Sequence, residues 1–174
     1  GHEAVVVFFV LSGFFVGGGV LRAVRENRFS WLSYASRRFA RLYAVLIPAL
    51  ALTWLFDQVG MQVPRMAPMY AALVPNNVLN FDVASRHGIG LLFANALFLQ
   101  SLLVPTFGTN VALWSLAYEF WFYGLFPLTW VAVASRRSRA ARVGHGACAA
   151  AIAWLLWGEA LTYFCIWLFG VAIA

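Results

Sequence analysis

Apolar and polar positions alternate along this chain in long blocks, not in the short-period stripes of a soluble core. Residues 4–21 run AVVVFFVLSGFFVGGGVL without a charge. About 20 residues at a 1.5 Å rise cover the roughly 30 Å hydrocarbon core of a bilayer, so this block predicts a first membrane-spanning helix. Further helical spans are predicted at 42–57, with Pro48 bending it, at 113–134, at 146–158 and at 160–174. Gly17-Gly18-Gly19 is expected to end or bend the first of them. Between 57 and 105 the pattern is broken by Pro64, Pro68, Pro75, Asn76, Asn77, Asn80, Asn95 and Gln100.

Two polar blocks are rich in arginine. The first holds Arg22, Arg25, Arg28, Arg37, Arg38 and Arg41, and the second holds Arg136, Arg137, Arg139 and Arg142. Short arginine-rich loops remain cytoplasmic, so an even number of crossings must separate them. Residues 66–83 and 88–105 therefore both span or both stay out. The prolines and paired asparagines of 66–83 favour the second choice, two interfacial or re-entrant segments on the far side, tolerated if buried in protein. Ser30 is placed to cap a short helix ahead of the 42–57 span.

Composition turns this pattern into a class. The chain is 63% hydrophobic and 10% charged over 174 residues, against about 45–50% and 25% for soluble domains. The prediction is an all-α, polytopic, multi-pass integral membrane protein in contact with lipid. All 12 basic residues are arginine and the net charge is +6. Their position in loops assigns that charge to topology, and nucleic acid is excluded as a partner. Cys148 and Cys165 lie in apolar runs and are expected to be buried thiols; no metal-ligand spacing is present. His145 is expected in a loop and His2 at a cut end. His87 lies in the polar far-side segment, where an incidental role outweighs a base. The chain does not begin with Met and ends in an apolar run, as expected of a piece of a longer protein.

Three features carry chemistry. Ser12-Gly13, with Gly17 four residues on, either permits close helix packing or lets a substrate approach the backbone. Arg37, Arg38 and Arg41 fall on one helical surface, either as a topology determinant or as a phosphate site, since guanidinium grips phosphate in a planar fork. Glu119 stands in an apolar, aromatic helix, where an ionised carboxylate costs about 2.5–3.5 kcal/mol on insertion scales and faces a cavity or a partner. Ser115, Glu119 and Tyr123 share one stripe of that helix at spacings of four.

Together these stretches resemble the acyltransferase-3 family, integral-membrane O-acyltransferases of surface polysaccharides and lipo-oligosaccharides. The resemblance is carried by Val7-Phe8-Phe9-Val10-Leu11-Ser12-Gly13-Phe14, by Arg37-Arg38-Phe39-Ala40-Arg41-Leu42-Tyr43 with Pro48, and by Leu113-Trp114-Ser115-Leu116-Ala117-Tyr118-Glu119 with Tyr123 and Pro127. Phe169-Gly170-Val171-Ala172 is a weaker match, and the resemblance covers essentially the whole chain. It implies transfer of an acyl group, commonly acetyl, from cytoplasmic acyl-CoA to a hydroxyl of a carbohydrate or glycolipid acceptor, in the inner membrane of a bacterium. Acyl-CoA is then a co-substrate and no bound cofactor is implied. It places donor binding on Arg37, Arg38 and Arg41 and acceptor orientation on Glu119, with Ser12, Gly13, Trp114, Ser115 and Tyr123 as further motif residues. The family's catalytic histidine belongs to a helix ahead of the Ser12-Gly13 helix, and no residue here takes its place, so the resemblance implies a fragment. The competing readings are a transporter or flippase for a lipid-linked sugar, and a non-catalytic scaffold.

Overall fold

The first apolar block becomes α1, His2–Arg25. A computed structural model describes residues 2–74 and 79–174 of the chain. The glycine triplet does not end the helix, which runs through it to Arg25. Gly17 lies against Val171 and Gly18 against Ala174, so neighbouring packing supports a backbone that glycine alone would loosen. The helix stops beyond Arg25, where Asn27 takes a left-handed φ of 54°. Arg28 N–H then bonds back to Ala23 O at 2.8 Å and Asn27 N–H to Val24 O at 3.1 Å, the paired closure that satisfies the last carbonyls.

The second helix, α2, is Trp31–Gln62 with Pro48 inside it, so the short helix expected after Ser30 and the span expected at 42–57 are one continuous helix. Ser30 Oγ accepts Ser33 N–H at 3.5 Å, in the capping position expected. Leu42, Leu46, Leu50, Thr53 and Asp57 are buried at spacings of three and four, while Ile47, Trp54, Phe56 and Val59 are exposed. A helix with one buried stripe and large apolar residues elsewhere suits lipid better than water. Both α1 and α2 are long and apolar enough to cross a membrane.

The middle of the chain is broken, as its prolines and asparagines predict. It contains α3, Ala67–Tyr70, a 3-10 turn at Ala84–Arg86, and α4, Ile89–Ala96. Eight residues of α4 cover about 12 Å, well short of a hydrocarbon core. The expected interfacial segment 66–83 includes 75–78, which lie outside the described residues. Then come α5, Leu113–Ala134, α6, Arg139–Leu155, and α7, Glu159–Ala172.

Two of the smaller expectations are corrected. His145 is not in a loop but within α6, stacked on Trp31 at 5.7 Å. Cys148 and Cys165 are both exposed, because each falls on the outward face of its helix.

The chain divides into two compact units, one of Gly1–Phe39 with Tyr118–Ala174 and one of Ala40–Ala117. In the first, α1 crosses α7 at backbone distance. A Cβ on Gly13 would strike the carbonyl of Trp167, and one on Gly170 the carbonyl of Val10. The open alternatives at Ser12-Gly13 resolve here into close packing. Phe9, Phe122, Tyr163 and Trp167 fill the centre, with ring centroids of Phe9 and Phe122 5.4 Å apart. The second unit is built on the C-terminal part of α2, with Leu42, Leu46, Val83, Phe98 and Phe107 almost fully enclosed.

Candidate functional site

Glu119 has partners, as a carboxylate in an apolar helix requires. It is 2% exposed. Its Oε1 accepts Ser12 Oγ–H at 2.9 Å and the hydroxyl of Tyr123. Ser12 in turn accepts Trp167 Nε1–H at 3.2 Å. The network thus joins α1, α5 and α7 inside the first unit. The pairing of Glu119 with Tyr123 is the helical stripe that the spacing predicts. Ser12 and Trp167 lie 107 and 48 residues from Glu119, beyond any local pattern.

Tyr123 faces two ways. Its hydroxyl meets the carboxylate, and its ring lies 5.5 Å from the guanidinium carbon of Arg38. The same guanidinium is 5.8 Å from the ring of Tyr34, whose hydroxyl donates to the carbonyl of Tyr123 at 2.9 Å. Two π faces therefore hold one cation. Arg38 Nε is buried and has no hydrogen-bond partner among the described residues. A guanidinium N–H without a partner in a partly dry site is costly, unless a ligand completes it.

Beside Arg38 a cavity of about 150 Å³ opens, lined by Arg28, Phe29, Ser33, Arg37 and residues of α1. Arg37 is held by a hydrogen bond to Ser33 Oγ. Arg28 is paired with Glu26 through Nε at 2.8 Å. Three guanidinium groups against one carboxylate leave the mouth net positive. Arg28 was not singled out by spacing, because it comes to the cavity through the turn after α1 and not along the α2 surface. Arg41 is exposed and does not line the cavity.

The remaining motif residues lie elsewhere. Ser115 donates to Ala112 O at 3.0 Å in the first turn of α5, and Trp114 precedes it there. Gly13 serves the crossing with α7. Among the described residues no group of three or more His, Cys, Asp or Glu is placed to hold a metal ion.

An all-helical chain with two membrane-length helices, a buried carboxylate network and an arginine-lined cavity defines a polytopic membrane protein. The family model for the acyltransferase-3 domain matches residues 1–174, and the chain belongs to that family of integral-membrane acyltransferases. No curated protein and no solved structure matches it.

Proposed function

We propose that the protein moves an acyl group, acetyl in the simplest case, from cytoplasmic acyl-CoA to a hydroxyl of a carbohydrate or glycolipid, in a bacterial inner membrane. The observation that carries this is the buried, unpartnered Nε of Arg38 beside a cavity walled by Arg28 and Arg37. Coenzyme A brings phosphates, and phosphates take guanidinium groups in bidentate pairs. In this reading Arg37, Arg38 and Arg28 grip the donor.

Glu119 is then a positioning residue. It fixes the hydroxyl of Tyr123, and the Tyr123 ring fixes Arg38, so the carboxylate sets the donor grip without touching the acceptor. Ser12 donates to the carboxylate and is itself held by Trp167 Nε1–H.

The test is transfer of radiolabelled acetyl from acetyl-CoA to glycan in membranes expressing the intact gene. Arg38→Ala is expected to raise KM for acetyl-CoA about tenfold or more, the scale of one charge-assisted bond of about 1.5–3 kcal/mol. Arg37→Ala and Arg28→Ala should cost less, since each already has a protein partner. Transfer that survives Arg38→Ala unchanged, while glycan flux across the membrane falls, would favour the transporter reading.

A further inference from the structure

The second arginine block lies in the first unit and plays no part in the reading above. From 135 to 158 the chain carries Arg136, Arg137, Arg139 and Arg142 and no carboxylate. Where α5 ends and α6 begins, an open cleft of about 340 Å³ is lined by Ala132, Arg139, Arg142 and Val143. It shares no lining residue with the cavity beside Arg38. Arg136 and Arg137 are exposed and do not line it.

Arg139 and Arg142 stand three apart, as neighbours on one face of α6. Arg142 is tied to the end of α5, from Nε to Ala132 O at 2.7 Å and from Nη2 to Val133 O at 3.0 Å. Nη1 takes no part in these bonds. The side chain is ordered before any ligand arrives, so binding there costs little rotamer freedom. Arg139 is exposed and has no ion pair among the described residues. The cations of the cleft are these side chains and not the helix end, because Ser138 Oγ already takes Ala141 N–H at 3.3 Å. A phosphate between the two guanidinium groups meets two uncompensated charges.

The cleft runs on into an apolar strip. Val143, which lines it, is followed on the same face of α6 by Ala147, Ala150 and Trp154, at spacings of four, three and four. All are exposed, Val143 at 72% and Trp154 at 79%. At 1.5 Å per residue the strip is about 16 Å long, half of a roughly 30 Å hydrocarbon core. That is the depth of one leaflet. A soluble phosphate would use the arginines and leave the strip unmatched. An anionic phospholipid matches both.

We infer that the cleft between α5 and α6 is a binding site for an anionic phospholipid, its phosphate held between Arg139 and Arg142 and one acyl chain laid along Val143, Ala147, Ala150 and Trp154. Any arginine-rich loop is drawn to a negatively charged leaflet. A built site differs in that it ranks the four arginines, since two line the cleft and two do not. The inference is independent of acyl transfer and is tested without it.

The experiment is native mass spectrometry of the intact protein released from detergent micelles, after titration with phosphatidylglycerol or with phosphatidylcholine. One saturable phosphatidylglycerol is expected, bound more tightly than phosphatidylcholine. Arg139→Gln, which leaves the bonds of Arg142 to α5 in place, should weaken it about fivefold, the worth of one basic residue at an anionic surface. Arg136→Gln and Arg137→Gln remove the same charge outside the cleft and should bind as the unaltered protein does. Adding Arg142→Gln to Arg139→Gln should abolish the preference over phosphatidylcholine. Inorganic phosphate, glycerol 3-phosphate and acetyl-CoA, each in molar excess, should not displace the lipid. Three results overturn the inference. Equal losses from Arg136→Gln and Arg139→Gln make the attraction diffuse. Equal affinity for phosphatidylcholine takes the arginines out of it. Displacement by any of the soluble phosphates assigns the cleft to a soluble anion.

Discussion

At the scale of single residues, Glu119 and Tyr123 can be separated by experiment. Glu119→Ala removes the acceptor that the hydroxyls of Ser12 and Tyr123 share; they keep their 3.2 Å contact with each other, and one buried donor loses its acceptor, at about 1–3 kcal/mol. Less folded protein is expected in detergent extracts. Glu119→Gln keeps an acceptor oxygen and loses the charge, so folded protein should persist while KM for acetyl-CoA rises. Tyr123→Phe keeps the ring beside Arg38 and removes the bond to the carboxylate, and should resemble Glu119→Gln in the same assay. Opposite ranking of these two, with Tyr123→Phe inert, would place Glu119 in a role of its own. Sequence spacing made the Glu119–Tyr123 pair legible, since four residues on a helix are neighbours. It could not reach Ser12 or Trp167, which come from other helices. Nor could it separate Arg28, which lines the cavity, from Arg41, which does not, because a turn sets the first and helix phase the second.

At the scale of elements, the end of α5 depends on the helix that follows it. Arg142, in the first turn of α6, donates from Nε to Ala132 O at 2.7 Å and from Nη2 to Val133 O at 3.0 Å. The last carbonyls of a helix need such donors, and a cation there also suits the helix dipole. Arg142→Ala should fray the final turn of α5, seen as faster amide hydrogen exchange over 130–135 with little change nearer Glu119. The helices themselves were largely legible. Apolar blocks at 4–21, 113–134 and 160–174 fall within or overlap α1, α5 and α7, because backbone groups in lipid must bond within their own segment. The glycine triplet does not end α1. Local propensity predicts a break there, and packing against α7, invisible from residues 17–19, overrides it.

At the scale of the whole molecule, charge placement predicts orientation. The turn after α1 and the link between α5 and α6 both carry clustered arginines, so both are expected on the cytoplasmic side. With Cys148 and Cys165 replaced by serine, a single cysteine at Asn27 or at Ser138 should react with a membrane-impermeant maleimide in inverted vesicles and not in intact cells. Opposite labelling of the two sites would break the even-crossing argument. The region 57–105 was the least legible part of the chain. Its polar residues signalled interruption, but Asp57 Oδ2 meets His87 Nε2 and Thr109 N–H, each at 2.9 Å, through a loop path that glycine and backbone bonds define. A lone histidine in a polar stretch gave no hint of a carboxylate 30 positions earlier.

The crossing of α1 and α7 has a consequence for genetics. Gly13 and Gly170 each abut a carbonyl of the opposite helix, and a carbonyl is the same whatever amino acid bears it. Alanine at either position, which overpacking places at about 1–3 kcal/mol, therefore has no partner side chain that could be trimmed to make room. Selection for restored activity from Gly13→Ala should return true revertants rather than second-site changes in α7. Gly17 is the internal control, since its neighbour is the side chain of Val171. There, Val171→Ala should suppress Gly17→Ala, marking the point along the crossing where side chains take over from backbone.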